Sequence, residues 1–331
     1  MRYLAGFTGE GYVYLSRQRS IVVTDSRYTI AAKEECPDCE VVLFPSGDYF
    51  APLREAMKRD GVRRIGFESD AMTVALFEKM KKSLGRDNVS FVPLGDSVSV
   101  LRHVKTEEEI LLITEAEAIG DRAFSKLLRT VRAGMTEKQV AAWLEFYMKE
   151  EGAEGFSFDT IAASGPHTAM PHAVPTNREL QEGDFLTMDF GCLYHGYCSD
   201  MTRTIAIGQV SDELVTIYET VLKAQKTALD GIRPGMTGAQ IDALARDVIR
   251  DAGYGQYFGH SLGHSVGLEI HESPNFSPRE ETRIEPGMVI TVEPGIYVEG
   301  VGGVRIEDVV VITRDGCRNI TNSPKELITI K

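Results

Sequence analysis

Four carboxylates in this chain stand in two matched settings that could hold metal ions. Asp189 closes the apolar run FLTMD and Asp200 opens the run DMTRTIAI, while Glu293 closes VITVE and Glu307 lies within VRIEDVVVI. If the segment 184–207 folds as a hairpin with a two-residue turn at Tyr194–His195, Leu193 pairs with Gly196 and Asp189 lies directly across from Asp200. Cross-strand partners share a face with Cβ atoms about 5 Å apart, so both carboxylates point to one place. Two like charges between apolar strands destabilise the fold or take up protons unless cations neutralise them. The alternative is an arginine partner for each acid, and Arg203 and Arg305 are the candidates.

A histidine segment, FGHSLGHSVGLEIHESP, adds neutral donors. It holds His260, His264 and His271, three of the seven histidines of the chain, among small residues that let backbone approach a site closely. One more, His172 in MPHAVPTN, follows the first half's corresponding strand. Four carboxylates with one imidazole make a hard, oxygen-rich set, which favours Mn²⁺, with Co²⁺, Fe²⁺ or Zn²⁺ as alternatives, over a structural zinc. Two divalent cations nearly balance four carboxylates and can hold a hydroxide of lowered pKa, the nucleophile of a metal hydrolase.

The elements that must position these residues form an internal repeat. VRAGMTEKQVAAWLEFYMKEEG (131–152) aligns without a gap to IRPGMTGAQIDALARDVIRDAG (232–253), each with Gly-Met-Thr before an amphipathic helix that Thr136 or Thr237 can cap. The repeat continues into EGDFLTMDFG and PGMVITVEPG, which sets Asp189 opposite Glu293 in the alignment. Packing two such halves about a pseudo-twofold axis brings the four acids together. Ahead of the repeat, GYVYLS, SIVVTD, EVVLF, RIGFES and SFVPL read as strands, and 48–60 and 71–85 as helices. That pattern predicts a small α/β domain ending near 95–105, with Thr106 and Glu109 forming the capping box of the next helix.

Length and composition set outer limits. A chain of 331 residues, 43% hydrophobic and 26% charged, predicts a globular protein of two domains. Its net charge of −13 disfavours nucleic acid and anionic lipid as partners and suits small peptides or metal cations. No run is long and apolar enough for a membrane span and the opening residues do not read as a signal peptide, so the expected location is the cytoplasm. Five scattered cysteines, with one CxxC at Cys36 and Cys39, do not form a disulfide framework or complete a zinc site and are expected to be free loop thiols.

In this order and spacing, MDFG, SDMTRT, GHSVGLEIHESP, EPGMVITVEPGIY and GVGGVRIEDVVVI resemble the Xaa-Pro peptidases (prolidase and aminopeptidase P) of the pita-bread metallopeptidase superfamily, and in particular the short bacterial Xaa-Pro dipeptidases. The motifs span 183–313, and the RYLAGFTG opening extends the likeness to nearly the whole chain. The resemblance implies an α+β protein: a pita-bread (creatinase/aminopeptidase-like) catalytic domain over 101–331 with an internal pseudo-twofold repeat, preceded over 1–100 by a small creatinase N-terminal-like α/β domain lacking its first elements. It implies that Asp200 and Glu307 bridge two metal ions, that Asp189 binds one of them, and that His264 and Glu293 bind the other. By the same likeness, His172 and His271 contact the scissile carbonyl and the developing gem-diolate. Glu293 passes a proton to the leaving nitrogen, His260 lies near the proline subsite, and Arg305 lies behind the ligands. The implied reaction is hydrolysis of the amino-terminal Xaa-Pro bond of dipeptides or short peptides by a homodimer. Aminopeptidase P action on longer Xaa-Pro peptides, and a less active member serving as a binding protein, are the competing readings.

Two departures from the family pattern are visible. Ser265 replaces a glycine beside the metal histidine, which strains the backbone if that position needs positive φ. The chain also begins at the RYLAGFTG segment, where family members usually carry an earlier helix and strand.

Overall fold

The structure is a computed structural model that describes residues 1–85 and 88–331. The chain divides into two compact units, Met1–Arg102 and His103–Lys331, each with its own core.

In the first unit a short helix, α1 (Arg2–Ala5), precedes strands β1 (Tyr12–Leu15) and β2 (Ser20–Thr24), helix α2 (Thr29–Glu35) and strand β3 (Glu40–Leu43). Helix α3 (Ala51–Asp60), strand β4 (Arg64–Phe67), helix α4 (Val74–Leu84) and strand β5 (Ser90–Pro93) follow. β1 and β2 are antiparallel, β2 and β3 parallel, and β4 and β5 form a parallel pair. The central strand alternates: Ile21 and Val23 pack with Leu53, Met57, Met80 and Leu84 of α3 and α4, while Val22 packs with Phe7, Ala32 and Cys36 on the other face. Burial on both faces is why SIVVT reads as an unbroken apolar run. Cys36 is buried at the end of α2 rather than in an exposed loop, and all five cysteines are free.

The second unit is built twice over. Helix α5 (Glu107–Leu127) starts with a capping box in which Thr106 accepts from the Glu109 amide and Glu109 reaches back to the Thr106 amide. Helix α6 (Glu137–Glu150) leads to β6 (Gly155–Phe156), β7 (Ile161–Ser164), β8 (Phe185–Phe190), β9 (Cys192–Tyr194), β10 (Tyr197–Cys198) and β11 (Met201–Ile207). The second half repeats the plan with α7 (Asp212–Gly231), α8 (Gly238–Asp251), β12 (Gly263–Ser265), β13 (Glu272–Phe276), β14 (Val289–Val292), β15 (Gly295–Val298), β16 (Gly302–Arg305), β17 (Asp308–Ile312), β18 (Cys317–Asn319) and β19 (Thr329–Ile330). Thr136 and Thr237 both cap their helices with full capping boxes, completed by Gln139 and Gln240. Each cap threonine also bridges the strand region of its own half, at Glu179 and Arg283.

The two larger sheets have the orders β19-β11-β8-β7 and β13-β12-β14-β17-β18. α5 and α6 cover the first through Phe124, Val140 and Leu144 against Met188 and Phe190, and α7 and α8 cover the second through Ile217, Val221 and Ile241 against Ile290 and Val310. With the helices outside, each half presents the other face of its central hairpin inward, and those faces carry the acids.

Candidate active site

The first hairpin closes on a two-residue turn at His195–Gly196, not at Tyr194–His195. Both turn residues have positive φ, 44° and 73°, and Tyr194 pairs with Tyr197, the backbone of a type I′ turn. The register is therefore two residues from the one expected: Asp189 lies opposite Thr202, and Asp200 one step diagonally away. A slip of two preserves the face, because side chains alternate with period two, so both carboxylates still point the same way. In the second half the pairings Gly295↔Arg305 and Val292↔Asp308 flank Glu293 and Glu307 and place those two directly opposite each other.

Thr202 ties the hairpins together. Its amide oxygen accepts from the Glu307 N–H at 3.1 Å, its hydroxyl donates to Glu307 Oε2 at 2.7 Å, and Arg305 Nε donates to that hydroxyl at 3.0 Å. His264 reaches the same space from β12. Its Nε2 lies 3.4 Å from Asp200 Oδ2 and 3.5 Å from Glu293 Oε1. Its Nδ1 faces the Ser265 carbonyl at 3.2 Å, and a proton donated there leaves the Nε2 lone pair free to ligate. Asp200, His264 and Glu307 each offer a donor atom, all within 4.8 Å of one another.

Electrostatics mark this cluster as deficient in cations. Burial, and then the charges of Asp189 and Glu293, push the Asp200 carboxyl well above its ordinary value. Burial, followed by Asp200 and Glu293, does the same to Glu307, and burial raises Glu293. Arginine answers only part of the charge. Arg305 Nη2 contacts Asp189 Oδ2 at 2.5 Å, whereas Arg203 bonds Asp308 at 2.7 Å and the carbonyls of Thr202, Glu307, Ser323 and Pro324. Asp189 Oδ1 is buried with no hydrogen-bond partner among the described residues. An orphaned carboxylate oxygen beside an Asp–His–Glu cluster is the donor pattern that hard divalent cations complete, so these residues fit such ions.

Two further histidines lie beside the cluster and its arginine. The His271 ring sits 4.5 Å from the His264 ring, and burial with the neighbouring His264 and His172 lowers its pKa. His260 donates from one ring nitrogen to the Ser261 carbonyl at 2.8 Å, and its Nε2 lies 3.0 Å from the Tyr297 hydroxyl. Burial, then the Arg305 charge, depresses His260 to about 4, so it is neutral at physiological pH. Helix α8 holds this segment: Arg246 pairs with buried Asp242 and donates to the carbonyls of Phe258 and His260. His172 is exposed on the segment after β7, next to Pro171, whose carbonyl accepts from Arg305.

Four contributors escaped the sequence reading. Thr202 and Thr291 lie two residues from Asp200 and Glu293 on the same faces, and Thr291 links the His264 amide to Glu293 Oε1 at 3.0 and 3.2 Å. Tyr297 accepts from Arg305 at 2.7 Å. Glu117 on α5 accepts from the Asp200 amide at 2.7 Å and from the Thr321 hydroxyl at 2.9 Å, and burial pushes it up to about 8. Period-two spacing could have found the threonines; nothing local points to Glu117 or Tyr297. Ser265 corrects an expectation. Its backbone is not among the positive-φ residues, and its buried hydroxyl donates to the Pro274 carbonyl at 2.7 Å, so the serine adds a hydrogen bond rather than strain.

A buried acid cluster with a histidine, built on two related hairpins, defines a hydrolase that works with divalent metal ions. The chain belongs to metallopeptidase family M24, whose pattern matches residues 112–314, with a creatinase/prolidase N-terminal domain over residues 1–104. It is similar to the structure of an Xaa-Pro dipeptidase from Bacillus anthracis, at 45% identity over 99% of this chain and 92% of that one, with a TM-score of 0.96. An X-Pro aminopeptidase structure from Thermotoga maritima is 41% identical over 99% of this chain and 93% of that one, with a TM-score of 0.94. An Xaa-Pro dipeptidase from Pyrococcus furiosus is 41% identical over 97% of this chain and 89% of its own length. Among the described residues, no helix is long and apolar enough to cross a membrane.

Proposed function

We propose that this metallopeptidase cleaves the amino-terminal Xaa-Pro bond of dipeptides and short peptides. The observation that carries the reading is the unpartnered, buried Asp189 Oδ1 beside the convergent Asp200, His264 and Glu307, together with relatives named for Xaa-Pro bonds over nearly their whole length. In this reading Asp200 and Glu307 would be shared ligands of two ions, Asp189 would hold one of them, and His264 and Glu293 would hold the other. When bound, divalent cations supply a nucleophile competent at neutral pH and polarise the scissile carbonyl. The hard donor set favours Mn²⁺.

The chain's own residues supply orientation and proton movement. His172 and His271 face the scissile carbonyl and stabilise charge developing on its oxygen. Glu293 relays a proton from the attacking water to the proline nitrogen, a role suited by a carboxyl whose burial raises its pKa. His260 is neutral at working pH and, with Arg305, flanks the proline subsite without adding a second cation. Residence in the cytoplasm as a homodimer completes the reading; free, largely buried thiols suit a reducing compartment. The test is Mn²⁺-reconstituted protein against Xaa-Pro, Xaa-Pro-Yaa and Met-Ala-Ser peptides, with light scattering for assembly. Turnover of Met-Ala-Ser with none of the proline peptides refutes the specificity.

A further inference from the structure

Glu137 is the first residue of α6, and its side chain is fully buried although it belongs to no part of the acid cluster. Its carboxylate gathers the two ends of the segment that carries His172. Oε1 accepts from the Ser164 amide and hydroxyl, both at 2.8 Å. Oε2 accepts from the Thr176 amide at 2.9 Å and hydroxyl at 2.6 Å. His167 Nδ1 approaches the same carboxylate at 3.0 Å. The backbone repeats the link, since the Glu137 amide donates to Arg178 and the Lys138 amide to the Thr176 carbonyl. Between these clamps the segment is pinned to the second half of the repeat at Thr168, whose hydroxyl accepts from the Gly303 amide at 2.8 Å, and at Pro171, which accepts from Arg305 at 3.3 Å.

His172 itself is exposed, so packing does not fix its imidazole; the course of its backbone does. The repeat shows that the carboxylate is a particular solution. The position equivalent to Glu137 in the second half is Gly238, where a Cβ would meet the Asn275 carbonyl oxygen at 2.2 Å. There Glu280, on the opposite segment, binds the Asn275 and Thr282 amides instead. In the second half, backbone bonds from Gly238 and Ala239 to the Thr282 and Glu280 carbonyls fasten the loop to the helix start, whereas in the first the Glu137 carboxylate adds side-chain bonds to the same backbone links.

We propose that Glu137 is the positioning residue for His172, setting the distance between its imidazole and the scissile carbonyl. The proposal rests on the reading of His172 given above. A shift of about 1 Å at a group acting on the transition state costs about 100-fold in rate, so Glu137→Ala is expected to lower kcat by at least about 10-fold, with bound metal and KM little changed. The decisive experiment is a double-mutant cycle with His172→Ala in the Mn²⁺-loaded full chain on an Xaa-Pro dipeptide. If Glu137 works through His172, adding Glu137→Ala to His172→Ala lowers kcat no further. A double variant whose loss is the product of the two single losses overturns the proposal, as does a wild-type kcat in Glu137→Ala. A silent His172→Ala refutes the role of His172 itself, and so separates that failure from a failure of Glu137. If Glu137→Ala does not fold, Thr176→Val, which removes the 2.6 Å hydroxyl bond to Glu137 and the 3.0 Å bond that the hydroxyl accepts from the Arg178 amide, takes its place in the cycle with the same expectation of non-additivity, and additive losses there overturn the proposal equally.

Discussion

Removing the divalent ions should destabilise the second unit by an amount that depends on pH in a defined direction. In the metal-free chain, Asp189, Asp200, Glu293 and Glu307 share one region with Arg305 as the cation in direct contact. If free metal is kept at about 100 times its Kd, the ligated state gains about 2.7 kcal/mol. For a unit the size of His103–Lys331, each kcal/mol moves the midpoint by about 2 to 4 °C. Chelation is therefore expected to lower that midpoint by about 5 to 10 °C near neutral pH. Asp200, Glu293 and Glu307 have raised folded-state pKa values. Groups of this kind contribute stability that is fully present below the unfolded carboxylate value of about 4 and is lost as pH rises through the folded values. The metal-free midpoint should thus fall from about pH 4 toward pH 7, while restored Mn²⁺ recovers it at neutral pH. Calorimetry with and without chelator, with metal loss verified by elemental analysis, measures both effects. An unchanged midpoint after verified metal loss refutes the metal assignment, whatever the activity.

Asp200→Asn should abolish Xaa-Pro turnover and reduce bound metal at both positions, because under the proposed ligand assignment the change removes a charge shared by two cations; on the same assignment Asp189→Asn should chiefly empty one. Exposed Asp230, on α7 away from both hairpins, should tolerate asparagine within about 0.5 kcal/mol; wild-type turnover in Asp200→Asn would sink the two-metal reading. Ser265→Gly should lose about 1 to 2 kcal/mol in urea unfolding, from the bond to Pro274 and the extra freedom of glycine, and a gain in stability would mean that the serine is strained after all. Tyr297→Phe removes the acceptor for Arg305 and the partner of His260 and is expected to lower kcat/KM by about 10-fold or more; unchanged kinetics would place Tyr297 outside the substrate path.

Much of this molecule was legible in local pattern. Thr106, Thr136 and Thr237 cap helices because a hydroxyl at that place satisfies an amide three residues on, whatever packs above it. The apolar strands and the inward face of the acids follow from side chains alternating every two residues. That same rule survives the error in register: moving the turn to His195–Gly196 slides Asp189 from Asp200 to Thr202 yet leaves both acids on one face. Alternation also distinguishes the two arginines. Arg305 lies two residues from Glu307 and shares its face, whereas Arg203 lies three from Asp200 and turns away to Asp308.

What the chain could not disclose locally is whatever depends on contact across the fold. The turn position rests on which pair of residues accepts positive φ, and His195–Gly196 wins because glycine carries no Cβ at the second position. Glu117 meets Asp200, Thr202 meets Glu307, and Glu137 gathers Ser164 and Thr176, all across separations that periodicity does not encode. Each of these groups looks like an ordinary polar residue in its own segment. Burial makes them specific: once water is excluded, a carboxylate must find donors or cations within about 3 Å, and only the packed tertiary structure determines which ones are there.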